Sequence, residues 1–484
     1  MLFNSYEFIF AFLPITFFIY FYLNSKKLTT ASVAFLVFAS LFFYSWWNIL
    51  YLPLILASML FNFVMGNYLS KPLKAVNKKA FLWFGIGSNV GLLGYFKYTD
   101  FLLDNFNGFF GSSIPLPHIV LPLGISFFTF TQIAYLVDCY KDKVKEYDFI
   151  RYALFVTYFP HLLAGPILHH SEMMPQFANI RNKTKNYRNI AMGLFLFSIG
   201  LFKKVVIADT FAVWANAGFD TATTLSFFEA WATSLSYTFQ LYFDFSGYTD
   251  MAIGASLLFN IKLPINFNSP YKALDIQDFW RRWHMTLSRF LRDYIYIPLG
   301  GNRRGEFRTY INLFTTFLLG GLWHGAGWTF IFWGTLHGLA LMIHRAWKSF
   351  GFTMNKYLAW FITFNFVNLT WIFFRAKEWS DALKVLSGMV GLSGMVISDK
   401  TLSKLIALKS LLTEHSENFG RLIYGTSTFV WIFIAILMTT LCKNSNEIAH
   451  QFKPSWLMLA LTLSGVIYTL FDISKVSEFL YFNF

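Results

Sequence analysis

Apolar residues in this chain fall in continuous runs rather than in alternation. The runs predict membrane helices over residues 7–23, 31–47, 51–70, 80–97, 119–137, 190–207, 226–243, 246–262, 309–322, 328–344, 357–374, 425–442 and 456–472. A bilayer span takes about 20 predominantly apolar residues, so the pattern amounts to about 11–13 membrane segments. Alternating patterning, the mark of a transmembrane β-barrel, is absent. Residues 149–168 contain Pro160, Gly165 and Pro166 and predict an interrupted or re-entrant segment, which lipid tolerates only where protein surrounds it. The expected fold is all-α, a polytopic integral membrane protein in a single domain over residues 1–484, with re-entrant or broken helices.

One break stands out. Residues 310–319 and 329–342 are apolar, and Gly320-Gly321-Leu322-Trp323-His324-Gly325-Ala326-Gly327-Trp328 separates them. Neither apolar half reaches span length alone. Four glycines around one histidine allow the backbone to break or to pack closely. An ionisable group at such a break inside a membrane points to function.

Composition strengthens the membrane reading. The chain has 484 residues, 56% hydrophobic and only 13% charged, against about 25% charged for soluble domains. The first apolar stretch carries Glu7 and lacks a basic leader or a small-residue cleavage site, so it reads as a retained span. The net charge of +14 is explained by positively charged cytoplasmic loops and anionic headgroups, or by affinity for phosphorylated carriers. No nucleic-acid partner is implied. Lys26-Lys27, residues 71–79, residues 141–145 and the arginine-rich 281–308 read as cytoplasmic. This puts the N-terminus, residues 377–424 and the C-terminal tail outside. The parity between residues 149 and 262 does not close, so at least one segment there fails to cross. Residues 377–424 read as helices lying on the membrane. Cys139 and Cys442 are the only cysteines, and no CxxC occurs.

Walker A, GxSxG and HExxH sequences are all missing. Gly85-Ile86-Gly87-Ser88-Asn89-Val90-Gly91 misses GxGxxG by one position and reads as helix packing. Gly334 and Gly338 form a GxxxG suited to close helix contact. Histidine is the remaining source of chemistry. A neutral His324 can act as general base for a hydroxyl attacking an acyl thioester, with Trp323, Trp328 or freed backbone N–H groups as oxyanion donors. His337 follows 13 residues later and reads as packing or support. His284 lies in an amphipathic stretch with Phe279, Trp283, Leu287 and Phe290 at helical spacing and Arg281, Arg282 and Arg289 between them. That stretch is either an interfacial aromatic–arginine belt or part of the site. Asp244 and Asp250 sit among aromatics, either to orient substrate or histidine, or to pair with an arginine of 281–292. Lys203 and Lys204 either snorkel or meet a donor phosphate. No metal cluster is suggested.

These residues together resemble the membrane-bound O-acyltransferase family, and most of all its bacterial branch acting on alginate and peptidoglycan. The resemblance rests on residues 1–14 (MLFNSYEFIFAFLP), 121–132 (LPLGISFFTFTQ), 159–167 (FPHLLAGPI), 242–250 (YFDFSGYTD), 278–293 (DFWRRWHMTLSRFLRD), 296–302 (YIPLGGN), 321–338, 373–376 (FFRA) and 479–484 (FLYFNF). It implies that His324 matches the family's catalytic histidine and His284 its second characteristic histidine. It further implies a tunnel meeting at His324 and a cytoplasmic donor, acetyl-CoA, another acyl-CoA or an acyl carrier protein. A periplasmic SGNH-type partner would complete O-acetylation of a polysaccharide. The tail is similar to a small peptide that accompanies the D-alanylation branch, which makes Tyr481 a candidate acyl relay; an interfacial aromatic anchor is the other reading. The location implied is the bacterial inner membrane. From residue chemistry alone, a glycan-precursor transporter, with its broken helices, and a lipid-carrier-dependent glycosyltransferase stay open beside the acyltransferase.

Overall fold

The computed structural model describes residues 1–71, 75–144, 148–163, 165–395, 426–472 and 480. Among them the chain is helical and contains no strand. The helices are α1 (Leu13–Ser25, continuing a π-helical turn over Glu7–Phe12), α2 (Thr29–Ser45), α3 (Leu52–Leu69), α4 (Ala75–Phe110), α5 (Ile125–Tyr140), α6 (Phe149–Thr157), α7 (Phe159–Leu162), α8 (His170–Ala178), α9 (Tyr187–Phe202), α10 (Asp209–Asn216), α11 (Phe227–Leu258), α12 (Ile276–Arg282), α13 (Met285–Leu291), α14 (Glu306–His324), α15 (Trp328–Ser349), α16 (Lys356–Arg375), α17 (Trp379–Met389), α18 (Thr426–Thr440), α19 (Ser445–His450) and α20 (Trp456–Asp472). Glu7–Ser25, Ile49–Leu69, Tyr187–Thr221 and Lys356–Arg375 are long and apolar enough to cross a bilayer; α2, α18 and α20 are shorter apolar helices. The chain is a multi-pass membrane protein.

Two compact units form. The first comprises Met1–Phe202, Gly247–Asn266 and Ala449–Phe484, the second Lys203–Ser246 and Phe267–Ile448. In the first unit, side-chain amides join α3, α4 and α5. Asn62 donates to Asn89 (3.1 Å) and to Gln132, and Asn89 donates back to Asn62 (2.7 Å). Polar bridges of this kind hold helices together where lipid competes equally well for apolar side chains. In the second unit Asn368 of α16 does the same, accepting from Ser234 (3.0 Å) and Thr238 (2.7 Å) of α11.

Two expectations change. Residues 226–243 and 246–262 are not two spans: α11 runs unbroken for 32 residues. Here Gly247 is a packing site, because a Cβ on Gly200 of α9 would collide with its carbonyl. Residues 80–97 extend into a 36-residue α4. The segment 149–168 is interrupted as expected, with the turn at Tyr158 (φ −45°, ψ 109°) separating α6 from α7. Of residues 377–424, α17 is helical; 396–425 lie outside the described residues, as does Tyr481.

Candidate active site

Helices α14 and α15 form the hairpin that carries His324. They are 19 and 22 residues long, because polar turns at Glu306 and beyond Leu341 lengthen the two short apolar halves. Gly321 faces Gly334 so closely that a Cβ on either would lie 2.9–3.0 Å from the other's Cα, and a Cβ on Gly338 would lie 3.2 Å from Phe314 Cα. The GxxxG thus lets the backbones touch. Gly321→Val is expected to separate the hairpin and cut membrane accumulation of the protein severely, since overpacking against a rigid backbone costs about 1–3 kcal/mol or more. Immunoblotting of membrane fractions checks this.

His324 is the last residue of α14, and Gly325-Ala326-Gly327 breaks the helix in extended conformation (φ −156° at Gly325, −166° at Gly327). Its side chain is buried in an aromatic cage: Trp323 at 4.8 Å, Phe374 at 5.0 Å and Trp333 at 5.1 Å between ring centroids, each at a steep angle. Trp328, by contrast, is 54% exposed and is not one of these rings. Trp333 and Phe374 were not singled out in the sequence. Trp333 could have been: it shares an i, i+4 face of α15 with His337.

His337 is fully buried. Trp280 Nε1 donates to its Nδ1 (3.2 Å), and its Nε2 meets Thr370 Oγ1 at 3.1 Å, which in turn donates to Val367 O (2.8 Å). An indole N–H can only donate, so Nδ1 accepts and Nε2 carries the proton. His337 is therefore a fixed neutral strut. It holds Trp280 on one side, and its ring lies 4.8 Å from Trp333.

Trp280 leads to a cavity of about 850 Å³. Arg281, Arg289, Arg292, Arg345 and Lys348 supply its basic wall, and Trp280, Met285, Leu313, Phe317 and Leu341 part of its apolar wall. Glu306, its one acid, is clamped in bidentate fashion by Arg345 (2.8 Å to each oxygen), and these hydrogen bonds hold its carboxyl below the ordinary value. Arg292 pairs with Asp293 (2.7 Å). Arg281 lines the cavity, whereas Arg282 pairs with Asp278 (2.9 Å). Phe317 precedes His324 by seven residues of α14, about 10 Å of helix rise.

His284 departs from the expected continuous helix. It sits at φ 41°, ψ 55°, between α12 and α13. A left-handed histidine costs of order 1 kcal/mol and persists only where packing dictates it. The dictating side chain is Trp283, buried against Phe279 (5.7 Å), Phe267 (5.0 Å) and Trp371 (4.9 Å). The aromatics of this stretch are therefore core, not an interfacial belt. His284 is fully buried, with its ring 4.8 Å from Phe245, and burial pushes its pKa down to about 3. It stays neutral at any physiological pH.

Asp244 pairs with Lys204. Lys204 Nζ lies 2.7 Å from Asp244 and 2.9 Å from Asp209, all within the second unit. Lys204 is 2% exposed and does not snorkel. Asp250, also buried, belongs to the first unit.

A buried histidine at a helix break, on the same helix that lines a basic cavity, is an arrangement suited to group transfer in a membrane. The chain belongs to the membrane-bound O-acyltransferase family, whose model matches residues 17–377. It is 52% identical to the peptidoglycan O-acetyltransferase of Helicobacter pylori over 100% of this chain and 98% of that protein. It is 40% identical to the probable alginate O-acetylase AlgI of Pseudomonas putida over 84% of each chain. It is 28% identical to the teichoic acid D-alanyltransferase of Streptococcus thermophilus over 52% of this chain and 68% of that one. The protein is thus an acyltransferase, which sets aside the transporter and glycosyltransferase readings.

Proposed function

We propose that this enzyme O-acetylates a cell-envelope polysaccharide, with peptidoglycan favoured over alginate by the full-length similarity at 52% identity. The donor is a cytoplasmic acetyl thioester, acetyl-CoA or an acetylated carrier protein. The single observation that carries this is helix α14: it starts at Glu306 on the basic cavity and ends at His324 in the aromatic cage. Arginines suit the donor's phosphates, and the apolar wall suits its thioester arm.

His324 takes the proton from an acceptor hydroxyl as its oxygen attacks the thioester carbon. The tetrahedral oxyanion then expels the thiolate, which recovers that proton from the imidazolium. The last-turn carbonyls of α14 present partial negative charge to this imidazolium. Trp333 supplies a buried indole N–H without a hydrogen-bond partner among the described residues, a candidate oxyanion donor beside Trp323. His284 acts as a neutral supporting group. The acceptor hydroxyl is that of Tyr481 or of the polymer. A periplasmic SGNH-type partner completes transfer outside the inner membrane, where the tail and N-terminus lie.

Cells lacking the gene are expected to lose base-labile acetate from muropeptides and regain it on complementation. Unchanged muropeptide acetate, with acetate lost from another polymer, would redirect the acceptor. Arg281→Ala is expected to raise the KM for acetyl-CoA roughly 5-fold, the worth of about 1 kcal/mol of charge-assisted phosphate contact, with kcat nearly unchanged. Membrane-vesicle kinetics check this.

A further inference from the structure

The first unit contains a second polar cavity, of about 570 Å³, that the acyl-transfer reading does not use. Lys143, Arg151 and Lys183 reach it from three separate segments, and Thr29, Thr30 and Ser171 add hydroxyls. Asp148 is its one carboxylate, and it is already committed: it accepts from the Ile150 N–H (2.9 Å) and lies 3.4 Å from Arg151 Nε. Lys143 and Lys183 have no acidic partner among the described residues. The first turn of α2 opens here as well. Its N-cap, Leu28, offers no side-chain acceptor, so the backbone N–H groups at Thr29 and Thr30 remain uncapped. Cations, hydroxyls and a positive helix end converge on a cavity large enough for a substituted phosphate.

Its lining identifies the source of that phosphate. Val33, Leu154, Met174 and Phe177 give it an apolar side. Farther along α2, Phe38 and Phe42 are exposed as on a lipid-facing helix, while Lys26 and Lys27 flank its polar end. A ligand with a phosphate at the interface and hydrocarbon below it matches this gradient. We propose that this cavity binds a phosphate anion, namely the headgroup of an anionic glycerophospholipid in the leaflet that carries the basic loops. Bound there, the lipid ties the start of α2 to α6, α8 and the loop after α5.

Thermal melting of the full-length protein in detergent tests the site. Phosphatidylglycerol is expected to raise the Tm of the wild type, with phosphatidylcholine inert. Lys143→Ala/Lys183→Ala should melt like the wild type without lipid, yet bind phosphatidylglycerol roughly 30-fold more weakly, from the contribution of two basic residues at a membrane surface. Lys143→Arg/Lys183→Arg should respond as the wild type does. Millimolar inorganic phosphate is the second arm. Inertness assigns the site to lipid, and a wild-type shift that the alanine pair abolishes assigns it to a soluble phosphate compound. An identical phosphatidylglycerol shift in wild type and alanine pair, or no shift with either probe, overturns the proposal.

Discussion

His324→Ala is expected to lower envelope O-acetylation by 10²–10⁴-fold, the usual contribution of a positioned general base, while the protein accumulates normally. The caged ring is buried, so the substitution leaves a small apolar void among Trp323, Trp333 and Phe374. That void lies at a helix end, where Gly325-Ala326-Gly327 already interrupts the backbone, so α14 and α15 keep their Gly321–Gly334 contact. Acetate release from muropeptides, measured beside an immunoblot of the membrane fraction, separates chemistry from folding. Acetate at the wild-type level would remove His324 from the mechanism. His284→Ala is the useful comparison: that ring stays neutral and packs on Phe245, so its loss should cost less in rate.

Lys204→Met is expected to destabilise the protein by about 3–5 kcal/mol, because removing one member of a buried ion group strands the others. Here Asp244 and Asp209 would be left, both on the second unit and each within 2.9 Å of the missing ammonium. The Tm in detergent should fall, as should the steady-state membrane level. Adding Asp209→Asn and Asp244→Asn to Lys204→Met should restore much of the Tm, since neutral groups carry a smaller desolvation penalty. Were Lys204 a contact for donor phosphate instead, the single variant would melt normally and show only a raised donor KM.

The sequence made much of this legible. Continuous apolar runs place helices within a few residues of α1, α2, α3, α16 and α20, because a bilayer admits little other secondary structure. The glycine-flanked histidine located the break within Gly320–Trp328, and Gly334–Gly338 anticipated a close helix contact, made here with α14. The same run reading misled over 226–243 and 246–262, which form one continuous helix, α11. Amphipathic spacing misled at His284, where α12 and α13 look like one helix until Trp283 is seen buried.

Local chemistry along the chain, then, defined a helical membrane enzyme with a histidine at a helix break, since hydrophobic run length and backbone freedom are read residue by residue. Which groups meet was decided only in three dimensions. Trp333 and Phe374 close on His324 from α15 and α16, Trp280 spans from the basic cavity to His337, and Asp244 meets Lys204. Partners so far apart in sequence are chosen by side-chain packing and by the cost of burying a charge alone, and neither quantity exists until the helices are assembled.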